Sequence, residues 1–277
     1  MDEPTRKPKD RNLKAAIGVG VALGIAMVLA ARLSPIALLI VVQLFLVIAL
    51  MELDRAFTMR RSQPPTLLAI VAMPISFFAA WNLGPVGLLM GVLLSFLVGV
   101  LGVMTSSSQG RAAERFGLYA LMVLWVPFLA SFLALILRMD NGIWIVLSVF
   151  ALAASNDIGA YIVGRRFGKH PLAKTISPGK TWEGMFGGLA TTVLIAVILF
   201  FIVPLPDGID VWQMGVMGIG MSLASVFGDL FESLIKRDLG VKDLGSILPG
   251  HGGVMDRIDA HLFAFPVAWL LLTVTGV

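Results

Sequence analysis

The chain contains no cysteine, 3 histidines and 2 tyrosines, and only 14% of its 277 residues are charged. Without cysteine there are no disulfides and no thiolate metal sites. The scarcity of charge, beside 58% hydrophobic residues and a mean hydropathy of +0.92, excludes an ordinary soluble domain, which is about half apolar and a quarter charged. No GxSxG is present, which argues against a serine hydrolase of the α/β type, and there is neither an internal repeat nor a separate soluble domain. A pI near 9.6 suggests nucleic acid in a soluble protein. In a chain this apolar it reflects basic cytoplasmic loops facing anionic headgroups, and no nucleic-acid partner is expected.

What is present is a series of apolar runs, at 15–31, 34–51, 65–83, 85–104, 117–137, 143–163, 185–203, 212–235 and 258–276. Each is long enough to cross ~30 Å of hydrocarbon as a helix. The pattern predicts an all-α polytopic membrane bundle of about nine transmembrane helices. Residues 1–14 form a cytoplasmic tail, 15–137 the first five spans, and 138–277 a C-terminal catalytic region. An uncleaved first span is expected in preference to a secretory signal. Gly18, Gly20 and Gly24, like Gly215, Gly218 and Gly220, are read as close helix packing, which also permits a homodimer. GVGVALG is no dinucleotide fingerprint, because no strand precedes it.

The basic residues test this division. If the nine spans are right, all 21 Lys and Arg except Arg32 and Arg138 fall on one membrane side. So one-sided a distribution places the N-terminus in the cytoplasm and the C-terminus outside. It also puts the two informative loops, 164–184 and 236–257, on the cytoplasmic face.

Polar groups inside the spans point toward those loops. Asn156 and Asp157 lie well inside the sixth run, and Asp157, Tyr161 and Arg165 share a helix face. In the eighth, Ser225, Asp229, Glu232 and Lys236 form a continuous polar stripe. A carboxylate near mid-membrane costs roughly 2.5–3.5 kcal/mol, so it faces a cavity or a partner. Either a wet functional cavity or an intramembrane ion pair, for instance Asp157 with Lys236, meets that need.

The loop FGKHPLAKTISPGKTWEG (167–184) supplies Lys169, Lys174 and Lys180 with the hydroxyls of Thr175, Ser177 and Thr181. Its GKT is not a P-loop, since Lys174 stands where that motif needs glycine. It reads as a flexible cationic loop suited to phosphate. The segment KDLGSILPGHGGVMDRID (242–259) then gathers four glycines with His251, Asp256 and Asp259 just ahead of the last run. Its glycines allow a close backbone approach to a ligand. Taken singly, Asp256 serves as an N-cap, Asp259 favours the helix dipole and His251 is a loop hydrogen-bonder. Together with Asp229 they supply three carboxylates able to converge at one depth. Oxygen donors without cysteine suit a hard cation such as Mg²⁺, and the Lys and Arg around them suit a nucleotide polyphosphate.

Residues 233–259, SLIKRDLGVKDLGSILPGHGGVMDRID, resemble the signature of the phosphatidate cytidylyltransferases, or CDP-diacylglycerol synthases. The matching elements are Ser233, Lys236, Arg237, Lys242, Asp243, Pro249, His251, Gly252, Gly253, Asp256, Arg257 and Asp259. SNDIGAYIVGRRFGK and SPGKTWEG also look like family segments, so the likeness covers about residues 155–259. The resemblance implies that CTP and phosphatidic acid react to give CDP-diacylglycerol and pyrophosphate, by in-line attack of the lipid phosphate on the α-phosphorus with no protein nucleophile. On that footing Asp229, Asp256 and Asp259 hold a divalent metal, with room for a second, monovalent or divalent, cation. Lys180, Lys236, Arg237, Lys242 and Arg257 contact phosphate, and Ser177 and Thr181 assist them. Asn156, Asp157 and Asp243 line the substrate cavity, and His251 orients a phosphate or the metal shell. A bacterial inner membrane with a cytoplasmic active site is expected. The rival readings are a CTP-dependent polyprenol kinase, which would release CDP, and an ion or lipid-phosphate transporter.

Overall fold

The structure, a computed structural model, describes residues 13–59, 63–106, 111–245, 247 and 252–275. His251, Pro249 and Gly250 of the signature lie outside the described residues, as do Arg60, Arg61 and the basic residues of the tail before residue 13.

The order is α1 (Leu13–Leu33), α2 (Pro35–Thr58), α3 (Thr66–Met104) and α4 (Ala112–Val123), which runs through a π-helical turn at Leu124–Phe128 into α5 (Leu129–Leu137). Then come α6 (Gly142–Phe167), a hairpin of β1 (Pro171–Ala173) and β2 (Ser177–Thr181), α7 (Trp182–Ile202), α8 (Val211–Leu239) and α9 (Met255–Val274). Local chemistry sets several of these ends. Ser34 accepts the Ala37 N–H at 3.0 Å with Pro35 at the first helical position, a pairing that starts α2. Asp210 and Gln213 form a capping box at the head of α8. Gly240, with φ 65°, ends that helix in the left-handed conformation that glycine adopts without a Cβ penalty.

Among the described residues, seven helical segments, with α4 through α5 taken as one, are long and apolar enough to cross a membrane. One of them, α3, is bent back on itself. At Gly84 the backbone leaves the helix (φ 66°, ψ −143°), and the two halves then run antiparallel, with Ser76 Oγ 3.4 Å from Ser95 Oγ. The two apolar runs expected there are therefore two packed helices. Large apolar side chains such as Leu67, Phe78 and Phe201 are more than 70% exposed. Such a surface is unfavourable in water and natural against lipid tails, so the molecule is an integral membrane bundle.

The loop expected to be flexible is instead the β1–β2 hairpin, antiparallel with Ala173 opposite Ser177. Two ties hold it. Glu183 Oε2 accepts the N–H groups of Lys169 (3.1 Å) and His170 (3.2 Å), and Arg237 Nε donates to the Ile176 carbonyl at 3.1 Å. Glycine packing is also more selective than expected. Gly218 and Gly220 do press against neighbours, but a Cβ on Gly24 or Gly215 would meet nothing within 4 Å.

Candidate active site

The polar groups gather where α6, α7, α8 and α9 meet the hairpin. On α8, Asp229, Glu232 and Lys236 fall at i, i+3 and i+7 and share one face. α9 crosses that face closely at Gly228, where a Cβ would stand 2.6 Å from the Asp259 carbonyl and 3.1 Å from Ala260 Cα. The crossing brings Asp259 level with Asp229. Carboxylate oxygens of Asp229, Glu232 and Asp259 come within 4.8 Å of one another, and Glu232 and Asp259 are buried.

Three carboxylates this close repel one another unless positive charge is near. Lys180, at the end of β2, pairs with Asp229, and Lys236 donates to Glu232 at 2.9 Å and to Asp256 at 2.6 Å. Lys236 is thus committed on both sides, and the alternative of an Asp157–Lys236 pair is not what forms. The other oxygen of Glu232, Oε1, is buried with no hydrogen-bond partner among the described residues. An unpartnered buried carboxylate oxygen beside two more carboxylates is a donor set that fits a hard divalent cation. Of the three expected ligands, Asp229 and Asp259 lie in this cluster. Asp256 stands next to it, its side chain 5% exposed, accepting from Gly253 N at 2.7 Å, Leu244 N at 3.3 Å and Lys236. It therefore fastens Leu244 and Gly253 to the head of α9.

A cavity of about 270 Å³ lies beside Asp229, between α6, the hairpin, α7 and α8. Asn156, Asp157, Lys180, Thr181 and Asp229 supply its polar lining, and Ala160, Leu172, Met185 and Val226 its apolar wall. Such a mixture suits a molecule with a charged head and a greasy body. Asn156 is buried and held by Ser222, whose hydroxyl donates to Asn156 Oδ1 at 2.7 Å. Thr181 caps α7 by accepting the Gly184 N–H at 3.1 Å, which fixes the strand carrying Lys180. Ser177 sits half-buried at the far end of that strand. Arg237 and Arg257 are exposed, and Arg237 is bound to the hairpin next to Ser177 through the Ile176 carbonyl. Lys242 and Asp243 are exposed in the segment after α8, and Asp243 lines a second cavity with Glu52 and Arg55.

Two residues that matter here were not among the expected site residues. Glu232 is visible in the polar stripe, and its i+3 spacing from Asp229 is the signal that places it in the cluster. Glu52 follows the second apolar run, close to Asp54 and Arg55, and gives no local signal at all.

The fold and site define a polytopic membrane protein with an acidic cluster that could hold a cation, beside lysines and arginines at one end of its helices. Comparison with known proteins narrows this class. The model of the cytidylyltransferase family matches residues 12–275. Proteins named phosphatidate cytidylyltransferase are similar along most of the chain. The one from Mycobacterium bovis is 33% identical over 281 residues, covering 95% of this chain and 89% of its own length. The one from Mycobacterium leprae is 32% identical over 280 residues, covering 95% and 88%. A Haemophilus influenzae protein of that name is 42% identical over 150 residues, about half of each chain. The chain belongs to the cytidylyltransferase family and is a nucleotidyltransferase.

Proposed function

We propose that the protein transfers the cytidylyl group of CTP to phosphatidic acid, giving CDP-diacylglycerol and pyrophosphate for phospholipid synthesis. The observation that carries this reading is a cavity that joins an apolar wall to the Lys180–Asp229 pair, with Asp229 also a member of the Asp229–Glu232–Asp259 cluster. The names of the relatives supply the substrates.

In the proposed reaction a non-bridging oxygen of the lipid phosphate forms a bond to the α-phosphorus of CTP. The bond from that phosphorus to the α,β-bridging oxygen breaks, and pyrophosphate leaves with the electron pair. No covalent protein intermediate is needed, so the side chains act by positioning and by balancing charge. Asp229, Glu232 and Asp259 would hold Mg²⁺, which when bound neutralises phosphate charge and orients the nucleotide. Lys180 would move from Asp229 to phosphate as substrate arrives. Lys236 keeps Glu232 and Asp256 in place, Arg237, Lys242 and Arg257 draw the triphosphate to the membrane surface, and Asn156 and Asp157 line the lipid headgroup's path. Thr181 lines that path, Ser177 stands on the same strand, and Asp243 would meet substrate only from the second cavity.

We place the active site on the cytoplasmic face of a bacterial inner membrane, with nine crossings and the N-terminus inside, because all Lys and Arg but Arg32 and Arg138 then share that side. The test uses purified protein in mixed micelles with Mg²⁺, phosphatidic acid and CTP labelled at the α-phosphate. Label in the lipid phase with an equal yield of pyrophosphate is expected. Label appearing only when the γ-phosphate carries it would make the protein a lipid kinase.

A further inference from the structure

One residue of the N-terminal half reaches the head of α9. Glu52, on α2, is 1% exposed. Its Oε2 accepts the N–H of Met255 at 2.9 Å, while Oε1 is buried with no hydrogen-bond partner among the described residues. The residue at the N-cap position of α9, Val254, offers no side-chain cap, so a carboxylate 203 positions away in sequence takes that role. The space it occupies is made by glycine. A Cβ on Gly245 would run into the Glu52 carboxylate, and one on Gly253 would stand 2.6 Å from Glu52 Oε2. Gly245 and Gly253 thus enclose a protein carboxylate, whereas Gly252 (φ 84°) turns toward Asp243 and Asp256.

Burying a carboxylate costs several kcal/mol unless hydrogen bonds offset it, and the bond from Met255 N with the close packing of Gly245 and Gly253 ties α2 to the α9 terminus at this point. The first turns of α9 carry Asp256 and Asp259. We infer that Glu52 is a positioning residue: by capping α9 and filling the Gly245–Gly253 cradle, it sets the height and rotation at which Asp256 and Asp259 face α8. The inference rests on the proposed cytidylyl transfer for its kinetic consequences and on geometry alone for its structural ones.

Because the chain lacks cysteine, one introduced thiol reports on one place. Val254, 2% exposed, is changed to cysteine in the full-length protein, alone and with Glu52→Ala or Glu52→Gln. Maleimide labelling of the introduced thiol in micelles is measured beside α-labelled CTP transfer across a Mg²⁺ series. With Glu52→Ala, the thiol is expected to label about tenfold faster as the helix head opens. The same change is expected to lower kcat about 30-fold and raise the Mg²⁺ needed for half activity about fivefold, through misplaced carboxylates. Glu52→Gln keeps the shape and a carbonyl acceptor, so slow labelling and kcat within about fivefold of the parent are expected.

Unchanged labelling and unchanged kcat in a folded Glu52→Ala protein would overturn the inference. So would slow labelling with Glu52→Gln as inactive as Glu52→Ala, since the charge and not the cap would then be what matters. If Glu52→Ala yields no folded protein, Gly245→Ala decides. Its methyl displaces the carboxylate, and it should reproduce the faster labelling and the lower kcat; parental values for both would count against the cradle. Absence of cytidylyl transfer in the parent would remove the proposed reaction, while the labelling comparison would still test the hold on α9.

Discussion

Lys180 and Asp229 form an ion pair that joins the end of the β1–β2 hairpin to the polar face of α8. The pair balances one of three clustered carboxylates and leaves the lysine at the mouth of the cavity. A cation there serves best if it changes partner when phosphate arrives, because its charge then acts in the transition state as well as at rest.

Lys180→Ala is therefore expected to lower kcat about 10²–10³-fold, the usual consequence of removing one electrostatic donor from such a site. Lys180→Arg should recover part of the loss. The lipid-labelling assay checks both, and near-parental turnover for the alanine variant would exclude Lys180 from the chemistry.

Glu232→Gln and Asp259→Asn each remove one oxygen donor from the cluster. Each is expected to raise the Mg²⁺ concentration for half activity by about 10–100-fold. Chelation with EDTA should abolish transfer in the parent, with recovery on adding Mg²⁺. Asp256→Asn discriminates between two roles. A shift in the Mg²⁺ requirement as large as that of Asp259→Asn would make Asp256 a ligand, whereas loss of kcat at an unchanged requirement would leave it as the fastener of Leu244 and Gly253.

Lys236→Met leaves Glu232 and Asp256 buried without their shared partner, with side chains 3% and 5% exposed. Removing one member of such a group costs about 3–5 kcal/mol. A lower unfolding temperature in detergent is the readout, and the double change Lys236→Met with Glu232→Gln should restore part of it. A single variant as stable as the parent would mean that water or an ion compensates the carboxylates.

Gly228→Val places a branched side chain where α8 and α9 touch. Overpacking at a helix crossing costs about 1–3 kcal/mol. Because the crossing sets Asp259 against Asp229, activity should fall further than stability does. Comparing residual transfer with the unfolding temperature separates the two effects.

Much of the architecture is open to reading along the chain. Nine apolar runs predict the helices because each is as long as a bilayer is thick. The Asp229, Glu232 and Lys236 spacing predicts a common face because helical geometry is local. The cationic segment 164–184 illustrates the limit. Its composition suggests a flexible loop, yet Glu183 and Arg237 fasten it as a hairpin through contacts 13 to 61 positions apart. Composition holds no record of such pairings.

A membrane-embedded helical protein, its division into runs and the family signature in 233–259 all follow from the order of residues. They depend on hydrophobicity and on spacing within a single segment, and both are written along the chain. Packing in three dimensions was needed to show that Glu232 joins Asp229 and Asp259, that Lys236 bridges Glu232 and Asp256, and that Glu52 caps α9. Each of those depends on where one helix crosses another. The α8–α9 crossing is set by close packing at Gly228, which brings Asp259 toward Asp229, and Gly245 and Gly253 leave room between the helices for Glu52.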